Sequence, residues 1–119
     1  MTADFLVVKS HRNEFPNPIQ LKIGDQIHVG ERYEGPEPWS GWYLCTVNGQ
    51  EPGWVPEQVF ELLSNSNGIV LSDYTAQELD VDEGEFVRGA HSLNGWVWCS
   101  HSKTNKQGWV PEENLRLET

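Results

Sequence analysis

Four histidines, two cysteines and eighteen carboxylates are the side chains in this sequence that could hold a metal or carry a reaction. A zinc site draws its ligands from short spacings such as C-x-x-C or H-x-x-x-H, which turn two ligands toward one point. His11, His28, His91 and His101 lie far apart, and Cys45 and Cys99 are 54 residues from each other (99 − 45). Each cysteine lies in a strand-like run with a small apolar or aromatic neighbour two residues before it, so both read as buried small hydrophobes rather than nucleophiles. Gly24-Asp25 and Gly84-Glu85 read as turns, not as a glycine-rich phosphate cradle. No catalytic residue, no metal ligand set and no cofactor is expected, and the chain does not read as an enzyme. The chemistry left is non-covalent recognition, for which six Trp, three Tyr and four Phe stand beside an acidic excess of 18 Asp+Glu over 8 Lys+Arg.

Those aromatic residues recur. Gly53-Trp54-Val55-Pro56 returns unchanged as Gly108-Trp109-Val110-Pro111, and each copy follows a Gly-Trp pair with a cysteine three residues on, Gly41-Trp42-Tyr43-Leu44-Cys45 and Gly95-Trp96-Val97-Trp98-Cys99. Such a recurrence is a duplicated unit. It predicts two small domains, residues 1–62 and 69–119, joined by a linker at 63–68 that contains Ser64-Asn65-Ser66-Asn67-Gly68. Gly24 to Trp42 spans 18 residues and Gly84 to Trp96 spans 12, so the repeats differ by a six-residue loop insertion (18 − 12).

Within each repeat, short alternating apolar runs are separated by Pro, Gly and Asn, and no run has helical periodicity. Phe5–Lys9, Ile19–Ile23, Gln26–Val29, Trp42–Val47 and Glu51–Val55 read as strands in the first repeat, followed by one helical turn at Pro56–Val59. Asn48-Gly49 reads as a type I′ hairpin turn. Ile69–Leu71, Phe86-Val87, Trp96–Ser100 and Gln107–Val110 read as strands in the second repeat. The expected fold is all-β: two tandem five-stranded barrels.

With these elements placed, the second repeat resembles an SH3 domain from end to end. Asp73-Tyr74, Leu79-x-Val81-x-x-Gly84-Glu85, Trp96 and Gly108-Trp109-Val110-Pro111 match the ALYDY, ELxFxxGD, tryptophan and GxxP signatures. The first repeat is similar through Ile19-x-Leu21-x-x-Gly24-Asp25, Trp42 and Gly53–Pro56. The likeness is to small bacterial proteins built from tandem variant SH3-like domains. It implies a protein-interaction module for proline-rich peptides. Of the positions that hold groove tyrosines in that family, Ser72 and Asn114 depart in the second repeat and Lys9, His11 and Val59 in the first, whereas Tyr74 is retained. The second domain is therefore the better candidate.

Alternation places the tryptophans without the family. In Trp96–Cys99 the small Val97 and Cys99 suit the interior, which turns Trp96 and Trp98 outward. By the same rule Trp42 and Leu44 face out, Tyr43 and Cys45 face in, Val55 and Val110 face in, and Trp54, Pro56, Trp109 and Pro111 face out. Two apolar shelves result, Trp42/Trp54/Pro56 and Trp96/Trp98/Trp109/Pro111, each suited to a polyproline II ligand. Glu78, Asp80 and Glu83 would pair with a basic residue flanking the prolines at the second shelf, and Glu31, Glu34 and Glu37 at the first. Tyr33, Trp39 and Trp42 with Glu34 or Glu37 could instead cage a cationic side chain.

The formal charge of −10 repels nucleic acid and anionic membranes and favours a basic, proline-rich protein partner. Met1–Lys9 lacks the basic and apolar regions of a signal peptide, and one thiol per repeat suits a reducing compartment, so a cytoplasmic location is expected. The competing expectation is a structural or self-associating protein whose Trp faces pack the domains together or against an assembly partner.

Overall fold

The computed structural model describes residues 2–118, and in it the alternating runs become twelve short strands. They are β1 (Ala3–Val7), β2 (Gln20–Leu21), β3 (Gln26–Arg32), β4 (Trp42–Thr46), β5 (Gly53–Pro56), β6 (Phe60–Leu62), β7 (Asn67–Val70), β8 (Tyr74–Thr75), β9 (Phe86–Leu93), β10 (Trp96–His101), β11 (Gln107–Pro111) and β12 (Leu115–Leu117). Single 3₁₀ turns, Glu57–Val59 and Glu112–Asn114, follow the two Gly-Trp-Val-Pro motifs. The fold is all-β, as the alternation requires.

Two five-stranded sheets have the orders β11-β10-β9-β1-β12 and β5-β4-β3-β7-β6, and β2 pairs with β8. The strands of each pair are antiparallel. The sheets are open, which corrects the expectation of closed barrels. In each, the chain crosses from one outer strand to the other through a three-residue 3₁₀ turn, β5 to β6 and β11 to β12. Three residues can join the two outer strands only because each sheet curls and brings its edges toward one another, although no ladder pairs those edges.

Strand order also reveals which repeat closes which sheet. The chain forms two compact units, Asn17–Ala76 by itself and Met1–Pro16 together with Gln77–Thr119. These are not the contiguous segments 1–62 and 69–119 of the sequence reading. The first strand of each repeat is built into the sheet of the other. The Val7 amide donates to the Glu85 carbonyl (2.9 Å) and its carbonyl accepts from Gly84 (2.8 Å). Val70 repeats this bond for bond with Asp25 and Gly24, at 2.8 Å each. One residue on, Val8 donates to Asn114 (2.8 Å) and Leu71 to Val59 (2.7 Å).

The expected linker explains the exchange. Only Leu63–Ser66 lie between β6 and β7, a length that suits a turn between neighbouring antiparallel strands, and the two strands pair. Leu63 and Ser64 donate to the Asn67 carbonyl (2.7 and 3.3 Å), and Asn67 Nδ2 donates to Ser64 Oγ (3.1 Å). A hairpin therefore stands where a linker is expected. Once β7 fills the position beside β3 and β6, the first strand of the chain is left for the vacancy in the second repeat.

Each unit has its own core. Val7, Leu79, Val81, Val87, Val97, Cys99 and Val110 cluster in one, with Phe5 and Leu115 packed against them. In the other, Ile19, Leu21, Ile27, Val29, Cys45, Val55, Val59, Phe60 and Val70 are buried. The expected type I′ turn at Asn48-Gly49 is not formed, since only Gly49 of the two has positive φ (84°). A two-residue turn with both central φ positive is found at Asn94-Gly95 (48° and 90°), joining β9 directly to β10. That tight turn is where the second repeat lacks the six residues.

Candidate interaction site

The strand registers decide which aromatic side chains share a face. β10 pairs with β11 so that Trp96 lies opposite Pro111 and Trp98 opposite Trp109. In the companion hairpin Trp42 lies opposite Pro56 and Leu44 opposite Trp54. Residues opposite one another project to the same side of a sheet, and Val97, Cys99 and Val110 take the core side, 3%, 0% and 0% exposed. Two Trp/Pro faces thus lie opposite the cores, as alternation demands. Tyr43, expected inward with Cys45, is half-buried and meets the Phe60 ring edge-on at 5.8 Å.

Exposure is where expectation and structure part. Trp54, Trp96 and Trp98 are half-buried, but Trp42 and Trp109 are only 6% and 5% exposed, and Pro56 and Pro111 are buried. Neither shelf is fully open. Trp109 shows one reason: Trp98 and His91 contact its ring edge-on, at 5.3 and 5.4 Å between centroids. The strand-like segment beginning at Gln77 then runs past it. Trp109 donates to Gln77 O (2.9 Å) and accepts from Leu79 N (3.1 Å), with a β-bridge to Glu78. Gly108 permits this approach, because a Cβ there would stand 2.6 Å from backbone atoms of Glu78 and Leu79.

The exchange makes both faces composite. Tyr74, expected beside Trp96, belongs to the unit that contains Trp54, and its hydroxyl donates to the Trp54 carbonyl (2.9 Å). The equivalent place near Trp96 is taken by His11 of the first repeat, edge-on at 5.5 Å. Sequence reasoning missed His11 as a site residue, because its neighbourhood depends on an exchange between distant strands. The signal was the brevity of the 63–66 connection.

Acidic side chains named for ligand pairing are partly engaged by the chain itself. Glu78 Oε1 lies 2.7 Å from His11 Nε2, with both side chains largely buried (11% and 13% exposed). Asp80 accepts from the Asn13 amide (2.7 Å) and Arg12 pairs with Asp82. Asp80 and Glu83 remain exposed. On the long loop of the first repeat Glu31 and Glu34 are exposed, while Glu37 accepts the Tyr33 hydroxyl, a bond that holds its carboxyl below the usual range. Tyr33 also packs against Trp39 (5.6 Å) and Trp54 (5.5 Å). The Tyr33 ring thus contacts two indoles, and Trp54 joins the aromatic group that the sequence places at Tyr33, Trp39 and Trp42.

Cys45 and Cys99 are fully buried and burial pushes each thiol up to about 12. Among the described residues no group of three or more His, Cys, Asp or Glu side chains could hold a metal ion. No helix among them is long and apolar enough to cross a membrane.

No curated protein and no solved structure matches the chain. The family model of the variant SH3 domain matches residues 5–63, which run from the exchanged first strand to the end of the first repeat. SH3 domains are in general protein-interaction modules that bind proteins or peptides. With this match, the all-β architecture and the Trp/Pro faces in view, the chain carries an SH3-type domain.

Proposed function

We propose that this protein is a non-catalytic, adaptor-like interaction module that binds proline-rich, basic segments of a partner protein through its Trp/Pro faces. The observation that carries the reading is the register of β10 on β11. It sets the half-buried Trp96 and Trp98 side by side, opposite Pro111 and Trp109, on the side of the sheet away from the core. An extended proline-rich segment presents flat rings that stack on such indoles at little entropic cost. The face bearing Trp96 and Trp98 is the better candidate because it offers two partly open indoles, not because of Tyr74. Exposed Asp80 and Glu83 supply counter-charge, and the net charge of −10 favours encounter with a basic segment.

The test is a fluorescence titration with a panel of proline-rich peptides carrying Arg or Lys at one flank, comparing the natural chain with Trp98→Ala. A Trp anchor at the centre of an interface contributes about 2 kcal/mol, roughly a thirtyfold loss of affinity on truncation. An unchanged Kd in a variant that keeps its native circular dichroism would sink the proposal.

The low exposure of Trp42 and Trp109 favours a second reading, in which these faces serve packing and self-association. Acrylamide separates the two. Strong quenching of the natural chain supports open faces, and weak quenching supports buried ones.

A further inference from the structure

We propose that this protein associates with a second copy of itself by exchanging its N-terminal arm, residues 1–16, so that each copy completes the other's Trp96 face. The inference rests on strand pairing and stands apart from the peptide-binding reading.

Everything that fixes the arm is non-covalent and lies in one unit. β1 is an inner strand, paired on one side to β9 and on the other to β12. Val7 is 1% exposed in the core, and Phe5 packs over Gly89, where a Cβ would stand 2.6 Å from its ring. Asp4 pairs with Arg88 (3.3 Å), His11 with Glu78 (2.7 Å) and Arg12 with Asp82. The residues that follow belong to the other compact unit, and the chain enters it between Pro16 and Asn17.

Residues 12–17 of this crossing are exposed, and prolines at 16 and 18 stiffen it. An identical slot exists in every copy. If the crossing opens, the arm of one molecule finds in another every contact it has left, and nothing in the unit distinguishes the two sources. Exchange between copies then costs only the loss of tethering, which concentration offsets. In the exchanged pair the imidazole against Trp96 and Glu78 is the partner's, so the face is incomplete without it.

The register provides the trap. Asp4 lies opposite Arg88, and its carbonyl accepts from Glu118 N on the β12 side, so its backbone turns away from β9 and Asp4 and Arg88 form a non-hydrogen-bonded pair with close side chains. The full chain carrying Asp4→Cys and Arg88→Cys is unfolded, refolded over a range of protein concentrations and only then oxidised. Cys45 and Cys99 are fully buried in the folded chain, out of reach of the oxidant. On non-reducing gels a disulfide within one chain runs at 13.6 kDa, and a reciprocally exchanged pair at twice that mass. The expected result is a doubled band that rises at least severalfold with refolding concentration. A band at the single-chain mass at every concentration, or no cross-link in a folded protein, overturns the proposal. Should the double variant fail to fold, isotopically heavy and light natural chains are refolded together at high concentration and then diluted. A heavy–light dimer that outlives dilution by minutes supports exchange. Absence of such a dimer, or one lost at once, overturns it.

Discussion

Cys45 and Cys99 occupy matching places, each two residues beyond a side chain on the core side of its strand, and each is fully buried. Burial withholds water from the thiolate and raises its pKa from 9.0 to about 12 in the folded chain. The consequence for stability has a definite sign. Below pH 9 both folded and unfolded states keep the protons, and the native state loses nothing. Between pH 9 and about 12 the unfolded chain releases two protons that the folded chain retains, so stability falls as pH rises through that window. Urea midpoints measured across it should decline, and Cys45→Ala with Cys99→Ala should flatten the decline. A slope that survives both replacements would assign the alkaline loss to other groups. At neutral pH a thiol reagent should label neither cysteine until the protein unfolds.

At the scale of elements, the decisive piece is the hairpin at Leu63–Ser66. Its four residues hold β7 beside β6, and this places Tyr74 with Trp54 and leaves His11 for Trp96. Lengthening the connection should therefore release the exchange. With ten Gly/Ser residues inserted after Asn65, β7 can reach its own repeat, while loop-closure entropy rises by only about 1 kcal/mol. The expected outcome is that proton NMR contacts between Phe5 and the β9 strand disappear and contacts between Phe5 and the β3 strand take their place. Persistence of the Phe5–Val87 contact in the lengthened chain would show that side-chain preference, not connection length, selects the pairing.

For the whole molecule, the two units differ in covalent continuity. Asn17–Ala76 is one stretch of chain with its own buried core, whereas the other unit needs residues from both sides of it. A fragment spanning 17–76 should fold alone. At this size a single core supplies no more than about 3–5 kcal/mol, so its urea transition should be cooperative but early. A fragment spanning 77–119 should stay unfolded until a peptide of residues 1–16 is added, because it lacks Val7 and the strand between β9 and β12. Independent folding of 77–119 would contradict the exchanged arrangement.

Much of this protein is legible in its sequence because alternation and turn chemistry act locally. The strands, the inward cysteines and the paired Gly-Trp-Val-Pro motifs follow from side chains two apart and from where Gly, Pro and Asn interrupt them. Charge and the absence of ligand spacings belong to the same local kind of information. Tertiary structure alone decided three further matters. It chose the partner of each first strand, since Val7 and Val70 are the same residue in similar apolar runs and local alternation does not say which sheet each joins. It set how open the indoles are, because Trp109 is covered by Trp98, His91 and the Gln77–Leu79 backbone, which approach from distant positions. It also joined His11 to Glu78 and Trp96 across more than sixty residues of sequence (78 − 11 = 67). A short-range pattern can orient a side chain, but only the closed path of the backbone can choose its neighbours.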